Sequence, residues 1–291
     1  MKAIIKSFDA YIEFKADDKI NIEEEQLKFW LNRFCPNVEY GVEGTPQQYI
    51  YLFSGEEPIV EVEQNKSFLT GSFHKGDESF LAKYITQVFQ KILVSYDIFY
   101  IPAACVGYQG TSVLFMGDFW QGKTSSAIKA AELMNGKVVS DNYIAVKEDM
   151  VIGHTRFISL RKENSFIKSN EDTLLIRNTR IFINNQYEGE NYKICGICIP
   201  YISSGDNNFH YVSKEEAVWY LYQKFSRLLN GESVLFNGEM PSPIFNDMET
   251  SKKLLAIAKR WADNYPLLYA SGTTTNISLE IKKIFDEEDK F

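Results

Sequence analysis

The residues best spaced to do chemistry run from Val113 to Ser125, VLFMGDFWQGKTS. Within them Gly117, Gly122, Lys123 and Thr124 satisfy G-x-x-x-x-G-K-[ST], the phosphate-loop pattern, with Asp118, Phe119, Trp120 and Gln121 filling the variable positions. The pattern has a mechanism. Gly117 lets the chain leave a strand in a tight turn, and Gly122 lets backbone approach a ligand closely. Loop amides can point inward and cradle phosphate oxygens. The Lys123 ammonium can reach the β- and γ-phosphates, and the Thr124 hydroxyl can hold Mg²⁺. The helix expected from Thr124 and Ser125 onward, TSSAIKAAELM, would aim its positive end at the same anion.

A second candidate follows soon after. KVVSDN is an apolar strand ending at Asp141 and Asn142. A carboxylate at such a strand end is the usual form of the second Mg²⁺-site residue in phosphate-loop enzymes. The alternative for the same aspartate is a helix-capping or turn role. Arg156, Arg161, Arg177 and Arg180 in the polar, strand-like stretch 150–186 are candidates for a further phosphate contact.

Other chemistries find little support. His74, His154 and His210 are isolated, with no H-E-x-x-H spacing, so a zinc enzyme is not expected. There is no G-x-S-x-G elbow, no H-R-D or D-F-G set, and no N-K-x-D guanine-reading motif. Cys195 and Cys198 form a lone C-x-x-C inside the apolar run KICGICIPYI, which reads as buried thiols rather than a metal site.

These residues need elements to position them. VLFM must be a strand and TSSAIKAAELM a helix, with Asn135-Gly136 as its C-cap. Ahead of them, FYIPAACVGYQGTSVLFMG (99–117) reads as two strands joined at Tyr108–Thr111. The stripe Leu81, Ile85, Val88, Phe89, Ile92 and Leu93 marks a helix over 78–97. Residues 1–14 pattern as a strand and 21–34 as an amphipathic helix. Residues 36–48 pattern as loop, and 49–53, 58–63 and 67–73 as three short strands. Residues 1–75 therefore read as a small N-terminal α+β unit, and 76–291 as the larger core. Downstream, SKEEAVWYLYQKFSRLLNG (213–231) opens with the capping box Ser213-x-x-Glu216. Helices are also expected over 251–264 and 278–291, with YPLLYASG (265–272) as an edge strand.

Taken together, the order of pieces resembles the HPr serine kinase/phosphorylase superfamily and its kinase-like relatives, which share a phosphate-loop fold with phosphoenolpyruvate carboxykinase. Gly117-Asp118 followed by Gly122-Lys123-Thr124 is similar to that family's G-D-S-G-x-G-K-S loop, NGKVVSDN to its strand end, and IPAACVGYQG-TSVLFMG to its paired strands before the loop. The likeness runs from about residue 78 to the end and is specific mainly over 99–146. It implies a mixed α/β fold of the HPr kinase type and a kinase using ATP and Mg²⁺. The implied acceptor is a hydroxyl, serine above all, on a peptide, protein or small molecule. Lys123 and Asp141 would be catalytic, with Asp141 as the candidate base. Residues 117–125 would hold the nucleotide, and Thr124, Asp141 and Asn142 the metal. Three positions depart from the family: Pro102 stands where a histidine is usual, Asn142 where a second aspartate is usual, and Phe119-Trp120 where the loop is usually small. They motivate the alternative of a nucleotide-binding pseudokinase that recognises a peptide or protein. The family's arginine-and-glycine signature after the aspartate pair has no clear match, so phosphorylase activity is not expected.

Composition sets the bounds. The chain has 291 residues, 45% hydrophobic and 24% charged, with a formal net charge of −8. That balance fits a globular protein and disfavours a nucleic-acid partner. No apolar run reaches membrane-spanning length, and the N-terminus turns charged too early for a secretory signal, so a cytoplasmic location is expected. The sequence leaves the oligomeric state open, a homo-oligomer included.

Overall fold

The computed structural model describes the chain except for residues 75, 119, 162–172, 178–179, 185–188, 206, 232–233, 236–239 and 289–291, and gives the backbone alone for 161, 173–177, 180–184, 234–235, 240–241 and 288. The protein is of the mixed α/β class: two mixed sheets, smaller ribbons and six α-helices among the described residues. It divides into two compact units, Met1–Phe99 with Ser226–Ser251, and Tyr100–Phe225 with Lys252–Phe291.

In the first unit the N-terminal segment makes two strands, β1 (Lys2–Ser7) and β2 (Ala10–Ala16), folded about a turn in which Phe8 takes a left-handed φ of 52°. Helix α1 (Glu24–Phe34) follows, then β3 (Val38–Tyr40) inside the expected loop, then β4 (Gln48–Ser54), β5 (Ile59–Glu63) and β6 (Lys66–Gly71). The sheet order is β3-β1-β2-β4-β6-β5, with β2, β4 and β6 parallel. Alternation decides the faces. Ile12, Phe14, Ile50, Leu52 and Leu69 are buried, and Tyr49, Tyr51, Phe53 and Phe68 form a stacked ring ladder on the opposite side.

Helix α2 (Glu78–Leu93) carries its apolar stripe against α1 and β2. The boundary expected at residue 75 thus falls inside this unit, because the stripe at 81–93 has its packing partners upstream. The buried Glu78 carboxylate accepts from the Glu23 N–H (3.1 Å) and the Gly76 N–H (2.8 Å), tying the starts of both helices. The returning segment of this unit contains the ribbon β18 (Val234–Leu235) and β19 (Met240–Pro241) and the first residues of α5 (Met248–Asn264).

The second unit is built on β16 (Tyr192–Ile202), which pairs in parallel with β9 (Thr111–Met116) on one side and β20 (Leu267–Gly272) on the other. Outside β9 lie β8 (Ala103–Tyr108) and β10 (Lys137–Ser140), both antiparallel. Outside β20 lies β17 (Asn208–Tyr211). β20 is therefore an internal strand rather than the expected edge. A six-residue run of this composition patterns the same way in either place, and only the non-local pairing with β16 and β17 decides it. The N-terminal end of β16 also pairs with β12 (Met150–His154), which continues the sheet through β11 (Ile144–Lys147) to β7 (Ile98–Ile101). β13 (Phe157–Arg161), β14 (Thr173–Arg177) and β15 (Arg180–Asn184) form a separate antiparallel sheet.

Two helices cover one face: α3 (Lys123–Met134) after β9, and α6 (Thr274–Glu288) after β20. They pack on each other through Ala127, Ala130, Ala131, Ile277 and Ile281, and the Ser278 hydroxyl reaches the Ser126 carbonyl at 3.5 Å. Both begin at the carboxyl ends of parallel strands, the edge where open α/β sheets bind ligands. Helix α4 (Lys214–Ser226) completes the elements, its start held by the expected box: Ser213 Oγ donates to Glu216 Oε2 at 2.8 Å.

Candidate functional site

Gly117–Thr124 is the connection from β9 to α3, at the carboxyl end of the parallel strands. Its start is fixed by burial: Val113, Leu114, Phe115 and Met116 are fully inside. Its end is fixed by Gly122, the N-cap residue of α3, at a left-handed φ of 91°. A side chain there would overlap the Ile202 side chain at the end of β16, so the neighbouring strand also crowds the position. At the far end of the helix Asn135 is the expected left-handed C-cap, with its N–H on the Ala131 carbonyl.

Inside the loop, polar groups close on one another. Lys123 Nζ donates to the Asp118 carbonyl at 2.7 Å, and the Asp118 N–H donates to Gln121 Oε1 at 2.7 Å. Trp120 is 71% exposed with φ at 75°, a conformation uncommon for any bulky residue. Phe119 lies outside the described residues. Ser125 stands in the first turn of α3, where helical N–H groups have no partner within the helix.

The structure brings the two sequence candidates together. Thr124 Oγ1 donates to Asp141 Oδ1 at 2.6 Å. Asp141, just past β10, is buried, and its other oxygen accepts from the Ser159 N–H at 3.0 Å and from Asn142 Nδ2 at 3.4 Å. The turn that presents it is clamped from behind. The Ser140 hydroxyl donates to the Tyr143 carbonyl (2.7 Å) and accepts from the Thr155 N–H (3.0 Å), and the Thr155 hydroxyl donates to the Asp141 carbonyl. Asn142 holds φ at 72°, a region that asparagine enters more readily than most residues.

Of the arginine candidates, Arg156 is exposed and follows Thr155 directly. It lies close enough to His154 to reinforce the effect of burial, which holds the imidazole below its ordinary pKa. The side chains of Arg161, Arg177 and Arg180 lie outside the described residues. Cys195 and Cys198 are buried on β16, and burial pushes the Cys198 thiol far above its ordinary value, as it does Cys105. Among the described residues no three His, Cys, Asp or Glu side chains gather into a metal cluster. No helix among them is long and apolar enough to cross a membrane.

One residue of the site was missed by the motif reading. Lys224 on α4 is only 7% exposed, and its Nζ lies 2.5 Å from Asp118 Oδ1 and 5.1 Å from the Tyr220 ring centre. A signal existed. Ala217, Leu221, Phe225 and Leu228 are the buried stripe of this segment, and a lysine at 224 falls on the same face. Ser140, Thr155 and Ser159 carried no such mark, because their roles come from backbone geometry.

No family model matches the chain, and no curated protein matches it.

Proposed function

We propose that the protein is an ATP- and Mg²⁺-dependent kinase that transfers phosphate to a hydroxyl, serine above all, of a peptide, protein or small molecule. On this reading it is a relative of the HPr kinase type, and its second unit is a phosphate-loop kinase core. The single observation that carries the reading is the 2.6 Å bond from Thr124 to Asp141 at the end of the G-x-x-x-x-G-K-T loop. The loop pattern by itself does not require a buried carboxylate at that hydroxyl.

Hard oxygen donors on Thr124 and Asp141 suit Mg²⁺, with phosphate oxygens and water completing its shell. Bound there, the ion would supply charge neutralisation to the phosphates. Lys123 would bind phosphate with its ammonium, and the α3 amides would orient it. A carboxylate offers about four lone-pair directions, and the donors on Asp141 take three. This favours Asp141 as the anchor of Thr124 and metal ligand over a freely accessible base. Asn142 can add a neutral oxygen but no carboxylate.

A second reading, a nucleotide-binding pseudokinase with a peptide or protein partner, is supported by the internally satisfied loop and by Asn142 itself.

The test is calorimetric titration with Mg-ATP, followed by transfer of labelled γ-phosphate to serine peptides and free hydroxyl compounds. Loss of a charge-assisted contact in Lys123→Ala should weaken ATP about 10- to 100-fold. Unchanged affinity refutes the loop assignment. Binding without transfer to any acceptor selects the pseudokinase.

A further inference from the structure

Lys224 is a buried cation paired with the Gly117–Thr124 loop, and nothing in the loop pattern calls for it. An aspartate second in the loop is electrostatically awkward. Its backbone carbonyl already holds Lys123, and its carboxylate would repel a polyanion and compete for the same lysine. Lys224 meets that carboxylate at 2.5 Å. The pair is lopsided. The lysine side chain keeps 9% of its exposure, whereas that of Asp118 keeps 64%. Packing against Tyr220 and the α4 stripe therefore fixes the cation, and the exposed loop carboxylate meets it. A buried ammonium without a partner is costly, so the pairing is strongly enforced.

We propose that Lys224 is a positioning residue of the phosphate site: it neutralises and holds aside Asp118, leaving Lys123 and the loop amides for the anion. The inference rests on the reading that this loop takes nucleotide phosphates. It extends the site to a helix 106 residues away in sequence.

The experiment is a double-mutant cycle in the full chain, with Mg-ATP affinity as the readout: Lys224→Met, Asp118→Asn and the pair together. Lys224→Met should weaken ATP at least about tenfold, because the exposed Asp118 charge is left beside the phosphates. Asp118→Asn in that background should restore affinity to within about threefold of wild type. Methionine keeps the length of the lysine stem, and the double variant leaves no charge unpaired, so it retains the fold even where a single variant does not. A lysine that touched phosphate itself, or merely docked α4, would lose the same affinity in the Asp118→Asn background as in the wild type, so the cycle would show no coupling. A double variant as weak as Lys224→Met, or a Lys224→Met variant with wild-type affinity, overturns the inference while the Lys123→Ala result still stands. A wild-type chain that fails to bind Mg-ATP overturns the parent reading along with it, and is seen before any variant is made.

Discussion

Gly122→Ala isolates the geometry that places the loop, independently of what the loop binds. Two costs add. At a φ of 91° an L side chain is strained by roughly 1–2 kcal/mol. The new methyl would also overlap Cδ1 and Cγ1 of Ile202, and overpacking of this kind costs about 1–3 kcal/mol. Ile202 is 42% exposed and can rotate partly aside, so the second cost should fall near its lower end. The expected loss is therefore about 2–3 kcal/mol.

Removing the obstacle separates the two costs. Ile202→Ala alone should cost about 1–2 kcal/mol, less than a fully buried isoleucine, because the side chain is half in solvent. In the double variant the overlap is gone and only the backbone strain remains, so the two changes should couple favourably by about 1 kcal/mol. Urea unfolding of the four proteins, with common m-values, measures the cycle. Simple additivity, or a Gly122→Ala variant as stable as wild type, would refute the account of a loop clamped between its own φ and the neighbouring strand.

Asp141→Asn should keep the fold yet cut phosphoryl transfer at least about a hundredfold, because a neutral amide holds Mg²⁺ and Thr124 less well, read by steady-state kinetics beside circular dichroism; a near-normal rate demotes the residue to a turn. Asn142→Asp should tighten Mg²⁺, measured by metal titration in the presence of ATP, since a hard cation prefers anionic oxygen; a large loss of activity would mean that the amide donation to Asp141 is itself needed. Glu78→Ala leaves the Glu23 and Gly76 amides without their acceptor and should lower stability by about 1–3 kcal/mol, with no stability change refuting the tie. His154 prefers its neutral form in the fold, so the unfolded chain binds more protons just below the ordinary histidine pKa. Stability is then complete above about pH 6.5 and falls as pH drops from there toward the folded value; His154→Gln should remove that part of the slope, and an unchanged slope excludes His154 as its source.

The parts of the site legible in the sequence were those set by local rules. Gly117, Gly122, Lys123 and Thr124 sit at fixed spacing because one turn and one helix start dictate it, and Asp141 stands out because it ends an apolar strand soon after that helix. The same holds for the Ser213–Glu216 box and the Asn135 cap, where side chain and backbone satisfy each other within a few residues. Features fixed by distant partners were not legible. The pattern of β20 is the same at an edge as between β16 and β17, and the α2 stripe announces a buried face without saying that α1 covers it. Asn142 looks like a lost carboxylate in the sequence, whereas its φ of 72° gives the asparagine a backbone reason to be there.

Lys224 lies between these cases, and it shows how far local reading can reach. A lysine on the stripe of Ala217, Leu221 and Phe225 breaks the pattern of a buried helical face, and such a break predicts a buried charge in need of a counter-ion. Asp118 is the matching anomaly, an anion in a loop patterned for anions. Each residue taken alone is a defect by the ordinary rules of burial and charge. Placed 2.5 Å apart, each removes the other's cost, and neither can be replaced singly without exposing it. That reciprocity is why neither position can be understood alone: the pairing is a property of how α4 meets the loop, which no spacing within either segment encodes.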